Sequence, residues 1–252
     1  MLDRRCFIRT VAAGGVASAP SLRLTRIMAS PNEEKTGASA PVRGRASEVK
    51  LVPPGHGRIP VAFVISEDAT VIDFAGPWEV FQDVMMSERG EGTEQMPFEL
   101  FTVSDKKETI IASGGLKLVP DYTLETAPAP KIVVVPAQRG SKKIEEWLAR
   151  TAPATDLVMS VCTGAFVLAR AGLLNGKSAT THHLFTDKLS QEFPRVNVER
   201  GVRFVDDGRI SSASGLTSGI DLALHVVERY FGRSMAQTTA DYMEHHSRDW
   251  MV

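Results

Sequence analysis

The stretch that decides the fold is Asp156–Gly172, which reads DLVMSVCTGAFVLARAG. A short apolar run, typical of a buried strand, ends at Cys162, and residues spaced for an amphipathic helix follow directly. A cysteine at such a corner stands at a helix N-terminus, where free backbone N–H groups and the helix dipole favour the thiolate. The corner also exposes the sulfur above the sheet edge, as in a nucleophile elbow. The alternative is a small buried hydrophobic residue, the usual fate of a free cysteine.

Apolar strands alternate with helical segments on both sides of this corner. The predicted strands cover residues 59–65, 98–104, 132–135 and 156–161, with a glycine-split hairpin at 110–119 and two short strands within 196–212. The predicted helices cover residues 70–86, 141–150, 163–171, 184–193, 216–230 and 234–244. This alternation predicts an α/β fold, a doubly wound and mostly parallel sheet with helices on both faces. Ligands of such sheets bind beyond the carboxyl ends of the strands, where Cys162 lies.

Composition and charge narrow the class of protein. The chain has 252 residues, 43% hydrophobic and 23% charged, which suits one soluble domain with a full core. No run of eighteen apolar residues occurs, so we expect no stable membrane insertion. The net charge is −1, yet residues 1–50 hold nine Lys and Arg against four Asp and Glu, which leaves −6 for the rest. An acidic body without a basic stripe argues against nucleic acid as a partner.

The N-terminus has the pattern of an export signal. The paired Arg4 and Arg5, followed by a weakly hydrophobic segment rich in alanine and glycine, resemble a bacterial twin-arginine signal over residues 1–30. The alternative is a disordered basic tail. Residues 31–57 lack periodicity and are predicted to be a disordered linker, which leaves 58–252 as the folded domain. The sequence therefore predicts a periplasmic or otherwise exported protein, carried by the twin-arginine translocase.

Four motifs carry a family resemblance. They are DFAGPWEVF at 73–81, SVCTGA at 160–165, ATTH at 179–182 and SGLTSGIDLAL at 214–224. In this order they resemble the ThiJ/PfpI superfamily over about residues 59–246, which implies the flavodoxin-like, class I glutamine-amidotransferase-like fold and a homodimer. The chain is most similar to isocyanide hydratases and to the sensor domains of AraC-type regulators. Those regulators continue into a helix-turn-helix domain, which we do not expect here.

The candidate catalytic residues are Cys162, Asp73, Thr163 and His182. Cys162 is the candidate nucleophile. The resemblance implies that Asp73 lies beside it as an acid, although Asp73 could instead cap the helix that begins near Phe74. Thr163 could aim its backbone N–H and hydroxyl at developing charge, or it could be an ordinary early-helix residue. His182 follows Cys162 by twenty residues and could complete a Cys-His pair or be structural, hydrogen-bonded beneath the site.

The candidate substrate-binding residues surround these four in the resemblance. They are Gly76, Ala137, Gln138, Gly164, Gly215 and Leu216. The segment 136–140 stands where many relatives carry Pro-Gly-Gly, whose amides help to form an oxyanion hole, and this departure puts amide hydrolysis in doubt. The other histidines have no spacing that makes a metal site with Cys162, so we expect neither metal nor cofactor.

The predicted function is that of an isocyanide-hydratase-like lyase acting on a small molecule. Cys162 would attack the isocyanide carbon, and Asp73 would move the protons. Glyoxalase or deglycase chemistry on reactive carbonyls is the alternative enzyme class. A non-catalytic binding protein, or a redox sensor that forms a sulfenic acid at Cys162, is the alternative outside catalysis. Proteolysis would need a complete Cys-His-acid set.

Overall fold

The structure is a computed structural model that describes residues 50–252. The predicted export signal and residues 31–49 of the predicted linker lie outside the described residues. The strands are β1 (Ile59–Val64), β2 (Phe98–Ser104), β3 (Ile110–Ile111), β4 (Lys117–Leu118), β5 (Tyr122–Thr123), β6 (Ile132–Val135), β7 (Leu157–Val161), β8 (Ser178–Ala179), β9 (Asn197–Val198), β10 (Phe204–Asp207) and β11 (Ile210–Ala213). The helices are α1 (Val71–Gln82), α2 (Lys142–Thr151), α3 (Gly164–Arg170), α4 (Thr186–Glu192), α5 (Ser218–Phe231) and α6 (Arg233–Tyr242).

One sheet organises the described part of the chain. Its seven strands lie in the order β10-β11-β7-β6-β1-β2-β5, and every neighbouring pair is parallel except the β10–β11 hairpin. The central strands β1, β6 and β7 are almost wholly buried and almost wholly apolar, as expected when helices cover both faces of a parallel sheet. The predicted fold class is therefore confirmed.

The two faces of the sheet carry separate apolar layers. On one face, α1, α5 and α6 contribute side chains such as Phe81, Leu224 and Ala236. On the other face, α2, α3 and α4 contribute side chains such as Leu148 and Val167. Each helix thus buries one stripe against the sheet. The loops that follow the central strands lie at the carboxyl ends of those strands, beyond the edge of the sheet.

Several predicted boundaries shift for identifiable local reasons. The helix predicted over 70–86 ends at Gln82, where Asp83 leaves helical geometry. The helix predicted from 184 begins at Thr186, because residues 183–185 form a tighter 3-10 turn. Ser141 caps the start of α2, because its Oγ accepts a hydrogen bond from the Ile144 N–H at 3.3 Å, and the helix begins where it was predicted. Within residues 50–252, no helix combines the length and apolarity needed to cross a bilayer.

Candidate active site

Cys162 lies at a sharp turn between β7 and α3. Its φ is 58°, a left-handed value that costs energy in a residue other than glycine. Neighbouring segments hold this conformation: the Cys162 N–H donates to the carbonyl oxygens of Ala213 (3.2 Å) and Ser214 (2.6 Å). The Cys162 carbonyl accepts from Thr181 Oγ1 at 2.8 Å. Strained backbone at a strand-to-helix corner is the geometry of a nucleophile elbow.

Gly164 makes this corner possible by packing rather than by facing a ligand. A Cβ at Gly164 would lie 2.1 Å from the carbonyl oxygen of Val135 and 2.8 Å from that of Pro136. The first turn of α3 therefore sits directly on the end of β6, at a distance that no side chain allows. The structure gives Gly164 a packing role, although the resemblance placed it among the substrate-binding residues.

Asp73 points from the first turn of α1 towards the elbow. The side chain is fully buried, and Oδ2 accepts a hydrogen bond from the Ala137 N–H at 3.1 Å. The residue that precedes α1 is Thr70, so Asp73 does not cap the helix. Asp73 Oδ1 is buried without a hydrogen-bond partner in the part of the chain that the structure describes. A buried carboxylate oxygen left open beside a cysteine is available to a substrate, a water or the thiol proton.

The thiol of Cys162 and the carboxyl of Asp73, hereafter the Cys–Asp pair, interact directly. Burial raises the pKa of Asp73 to about 6, although the Ala137 N–H, the thiol and the Leu216 N–H each lower it. Of these three contacts, the one with Ala137 reaches full hydrogen-bond geometry. Burial, together with the negative charge of Asp73, raises the pKa of Cys162 to about 11. Between those two pH values the Cys–Asp pair holds one proton.

The raised thiol pKa corrects the expectation of a favoured thiolate. The sequence places Cys162 at a helix N-terminus, but α3 has only seven residues, and the sulfur is enclosed beside a carboxyl. The N–H groups of Thr163 and Leu216 lower the thiol pKa without outweighing burial. The nucleophile is therefore stored as a thiol with a base beside it.

Two backbone amides interact with the sulfur. Thr163 follows the nucleophile, as predicted, and its N–H interacts with the thiol. Leu216 lies between β11 and α5, and its N–H interacts with both members of the Cys–Asp pair. Leu216 has a φ of 52°, so it is a second strained residue other than glycine at this site. Both amides can stabilise negative charge that develops on or near the sulfur.

The loop after β6 is used differently from an oxyanion hole. The N–H of Ala137 is bound to Asp73. The side chain of Gln138 is tied to the end of β1, because its Oε1 accepts from the Ser66 N–H at 2.6 Å and its Nε2 donates to the Val64 carbonyl at 3.0 Å. This loop holds Asp73 in place instead of presenting the Ala137 amide to an oxyanion.

His182 makes local contacts. Its Nδ1 accepts from the Leu184 N–H at 3.3 Å, and its ring stacks on His183 with centroids 4.4 Å apart. Burial and the neighbouring His183 lower its pKa. Within residues 50–252, no hydrogen bond joins His182 to Cys162. These contacts favour the structural interpretation of His182 over a Cys-His pair.

The two remaining predicted glycines are explained by close packing. A Cβ at Gly215 would lie 2.5 Å from Cδ2 of His182, so only glycine at this position leaves room for the imidazole ring. A Cβ at Gly76 would lie 2.9 Å from Cγ1 of Ile220, where α1 packs on α5. Gly215 lies at the site, whereas Gly76 serves a contact between helices.

A cleft of about 560 Å³ lies beside the loops that support the elbow, although neither Cys162 nor Asp73 is among its lining residues. Its walls are residues 180–183, 186, 200–203 and 214–218. Two of these, Thr181 and Leu216, also contact Cys162. A volume of this order suits a small organic molecule. Among residues 50–252, no group of three or more His, Cys, Asp or Glu side chains is placed to hold a metal ion.

The sequence analysis missed a set of buried charges on α5. Asp221 is fully buried and binds Arg203 and His245, while His225 and Arg229 both bind Asp206. The signal was present in the sequence: charged or polar residues recur every fourth position at 221, 225 and 229 of an otherwise apolar helix. That spacing puts them on one face, and buried charges require partners.

Comparisons with known proteins agree on one family. Residues 60–229 match the family model described as DJ-1/PfpI family. The isonitrile hydratase of Pseudomonas putida is 29% identical over 191 residues, which cover 73% of this chain and 78% of that protein. The HTH-type transcriptional regulator GbdR of Pseudomonas aeruginosa is 29% identical over 186 residues, but this chain covers only 49% of the regulator. A THiJ/PfpI family protein from Pseudomonas syringae superposes with a TM-score of 0.66 at 24% identity, covering 76% of each chain.

Proposed function

This chain belongs to the DJ-1/PfpI family, and from that premise we propose that it is an isocyanide hydratase, which converts an isocyanide and water into an N-substituted formamide. One observation carries the proposal: a cysteine at a strained elbow is paired with a buried carboxyl whose second oxygen is open. The similarity to an isonitrile hydratase supports this class of substrate, since isonitrile and isocyanide name the same functional group.

The first step uses the proton that the Cys–Asp pair holds. The terminal carbon of an isocyanide accepts a nucleophile and a proton at the same atom. As the sulfur attacks, Asp73 takes the thiol proton and passes it to that carbon, which gives a thioimidate on Cys162. An aspartate with a pKa of about 6 is a stronger base than an exposed one and is still ionised at neutral pH.

The second step adds water and releases the product. The Asp73 carboxylate takes a proton from water, and the oxygen forms a bond to the thioimidate carbon. That proton goes to the substrate nitrogen. The C–S bond then breaks, its electron pair returns to sulfur, and the remaining water proton restores the thiol. The N–H groups of Thr163 and Leu216 stabilise the sulfur whenever it carries negative charge.

Purified protein incubated with cyclohexyl isocyanide tests the proposal. We expect a formyl proton signal in NMR that grows with time and depends on enzyme concentration. Cys162→Ala should abolish turnover, and Asp73→Asn should lower kcat at least about 100-fold, the usual contribution of a positioned acid or base. His182→Ala serves as the control and should retain most activity. Full turnover in Cys162→Ala, or no formamide from a panel of alkyl and aryl isocyanides, contradicts the proposal.

The contacts of the site weigh against the alternatives. A redox sensor needs a thiolate, whereas the raised pKa of Cys162 keeps it a thiol at neutral pH. Proteolysis needs a Cys-His pair, and His182 is bonded elsewhere. Glyoxalase chemistry is tested by the same variants with methylglyoxal. A large loss in His182→Ala with that substrate would favour it.

A further inference from the structure

The loop Ser214–Thr217 is the part of the site that requires support. It joins β11 to α5 and carries the Leu216 N–H that faces the Cys–Asp pair. The left-handed backbone at Leu216 costs about 1 kcal/mol or more in a residue with a side chain. The Leu216 side chain is 44% exposed, so its own burial contributes little to holding that conformation. Other contacts must hold the loop.

Arg203 contacts both ends of this loop, one end through its backbone and the other through its side chain. The Ser214 N–H donates to the carbonyl oxygen of Arg203 at 2.8 Å, and Arg203 Nη2 donates to Thr217 Oγ1 at 3.2 Å. On the inner side, the Ser214 carbonyl accepts from the Cys162 N–H at 2.6 Å. The loop is therefore held between the nucleophile and Arg203.

Arg203 is fixed in turn by a buried carboxylate. Asp221 is fully buried in the first turn of α5, and its Oδ2 accepts from Arg203 Nε at 2.7 Å and also from Nη2. Its other oxygen lies 2.8 Å from Nε2 of His245, and Asp249 lies 3.8 Å from Arg203 Nε. A carboxylate with both oxygens bound orients the guanidinium of Arg203, because the guanidinium is planar and cannot rotate without losing these contacts.

A neighbouring arginine, Arg200, shows by contrast which contacts are particular to Arg203. Arg200 also lines the cleft, but its ion pair is with Asp187, whose side chain is 79% exposed. Its other hydrogen bond goes to the carbonyl of Val198. Both arginines bring a positive charge to the same wall, and only Arg203 holds the loop.

We propose that Arg203, oriented by Asp221 and His245, is a positioning residue that keeps the Leu216 amide facing the Cys–Asp pair. The inference rests on the Cys–Asp pair as the reactive centre and is independent of the substrate. Arg203 acts through the loop, since its hydrogen bonds go to the loop and to Asp221.

The test measures Cys162 itself, without any isocyanide. Purified protein is alkylated with iodoacetamide at pH 9, where the rate follows the fraction of thiolate, and mass spectrometry of the peptide that contains Cys162 separates its reaction from that of Cys6. Arg203→Lys keeps the charge but loses the planar fork, so the Leu216 amide should withdraw and the thiol pKa should rise. We expect alkylation to slow about threefold to tenfold, whereas Arg233→Lys, at an exposed arginine outside the cleft, should alkylate at the rate of the unmodified protein.

A second pair of variants covers the case in which Arg203→Lys fails to fold. Thr217→Val removes only the hydrogen bond from Arg203 to the loop, and Thr217→Ser keeps it. We expect alkylation to slow about twofold in Thr217→Val and to return to normal in Thr217→Ser. A site that merely loosens would expose the sulfur and alkylate faster. Unchanged or faster alkylation in folded Arg203→Lys or in Thr217→Val would overturn the proposal. If Arg203→Lys and Thr217→Val slow alkylation as expected but the unmodified protein does not turn over isocyanides, only the proposed function is overturned.

Discussion

Asp73→Asn should become more stable relative to the unmodified protein as the pH rises. The folded protein holds the Asp73 proton with a pKa of about 6, against an ordinary aspartate value of 3.8. Between these values the folded state binds a proton that the unfolded chain has lost, so the stability of the unmodified protein falls as the pH rises through that range. Asparagine does not titrate, and its amide oxygen can still accept the Ala137 N–H.

The size of the effect follows from the two pKa values. The difference between about 6 and 3.8 corresponds to about 3 kcal/mol at about 1.4 kcal/mol per pH unit. Roughly 2.5 kcal/mol of it develops between pH 4 and pH 7, and the rest is already present at pH 4. Any fixed cost of burying the asparagine amide adds equally at every pH. The slope therefore isolates the cost of burying the Asp73 charge.

Urea denaturation at intervals from pH 4 to pH 8 measures this slope. The free energy of unfolding of Asp73→Asn, minus that of the unmodified protein, should rise by about 2 to 3 kcal/mol over the range and level off above pH 7. A flat difference for Asp73→Asn, or one that falls with pH, would refute the reasoning that burial dominates the pKa of Asp73.

Three further predictions concern catalysis, packing and export. Isocyanide turnover should rise with pH around 6, because the Cys–Asp pair lacks an ionised base below that value; a pH-rate profile without an acidic limb contradicts this. Gly164→Ala should destabilise the fold by about 3 kcal/mol or more, because its Cβ would meet backbone, while Gly55→Ala, with open space around it, should be neutral in thermal denaturation. Replacing both Arg4 and Arg5 with lysine should leave a reporter fused to residues 1–50 in the cytoplasm of a bacterial host, whereas the unmodified fusion should reach the periplasm.

The fold could be predicted from sequence where burial dominates. The strands at 98–104 and 132–135 have the predicted bounds, because the first alternates apolar and polar residues and the second is a short run of buried apolar residues. The two-residue strands β5 and β8 were missed, since so short a segment has no periodicity and pairs only because a neighbour lies beside it. Helix ends differ from their predicted positions by a few residues, because the last turn depends on local backbone geometry that periodicity does not show.

The sequence predicted that Asp73 and Cys162 lie together, but it did not predict their electrostatics. The motif order placed Asp73, Cys162 and Leu216 together, and the structure brings them into contact. The direction of the thiol pKa was wrong, because a helix N-terminus can be seen in the sequence, whereas enclosure beside a carboxyl depends on tertiary packing. The support of the loop by Arg203 depends on Asp221 and His245, which only the folded chain brings together.

The hydrogen bond from Ala137 to Asp73 bears on what happens after turnover. On the proposed function, the product would itself be an amide, formed against a cysteine whose chemistry could also cleave it to an amine and formate. Such cleavage draws on backbone donors for the oxygen of the tetrahedral adduct, and one of them, the Ala137 N–H, is already bound to the Asp73 carboxylate. On the proposed function, the contact that holds Asp73 in place would therefore leave the adduct oxygen one donor fewer, which would favour release of the formamide over its cleavage.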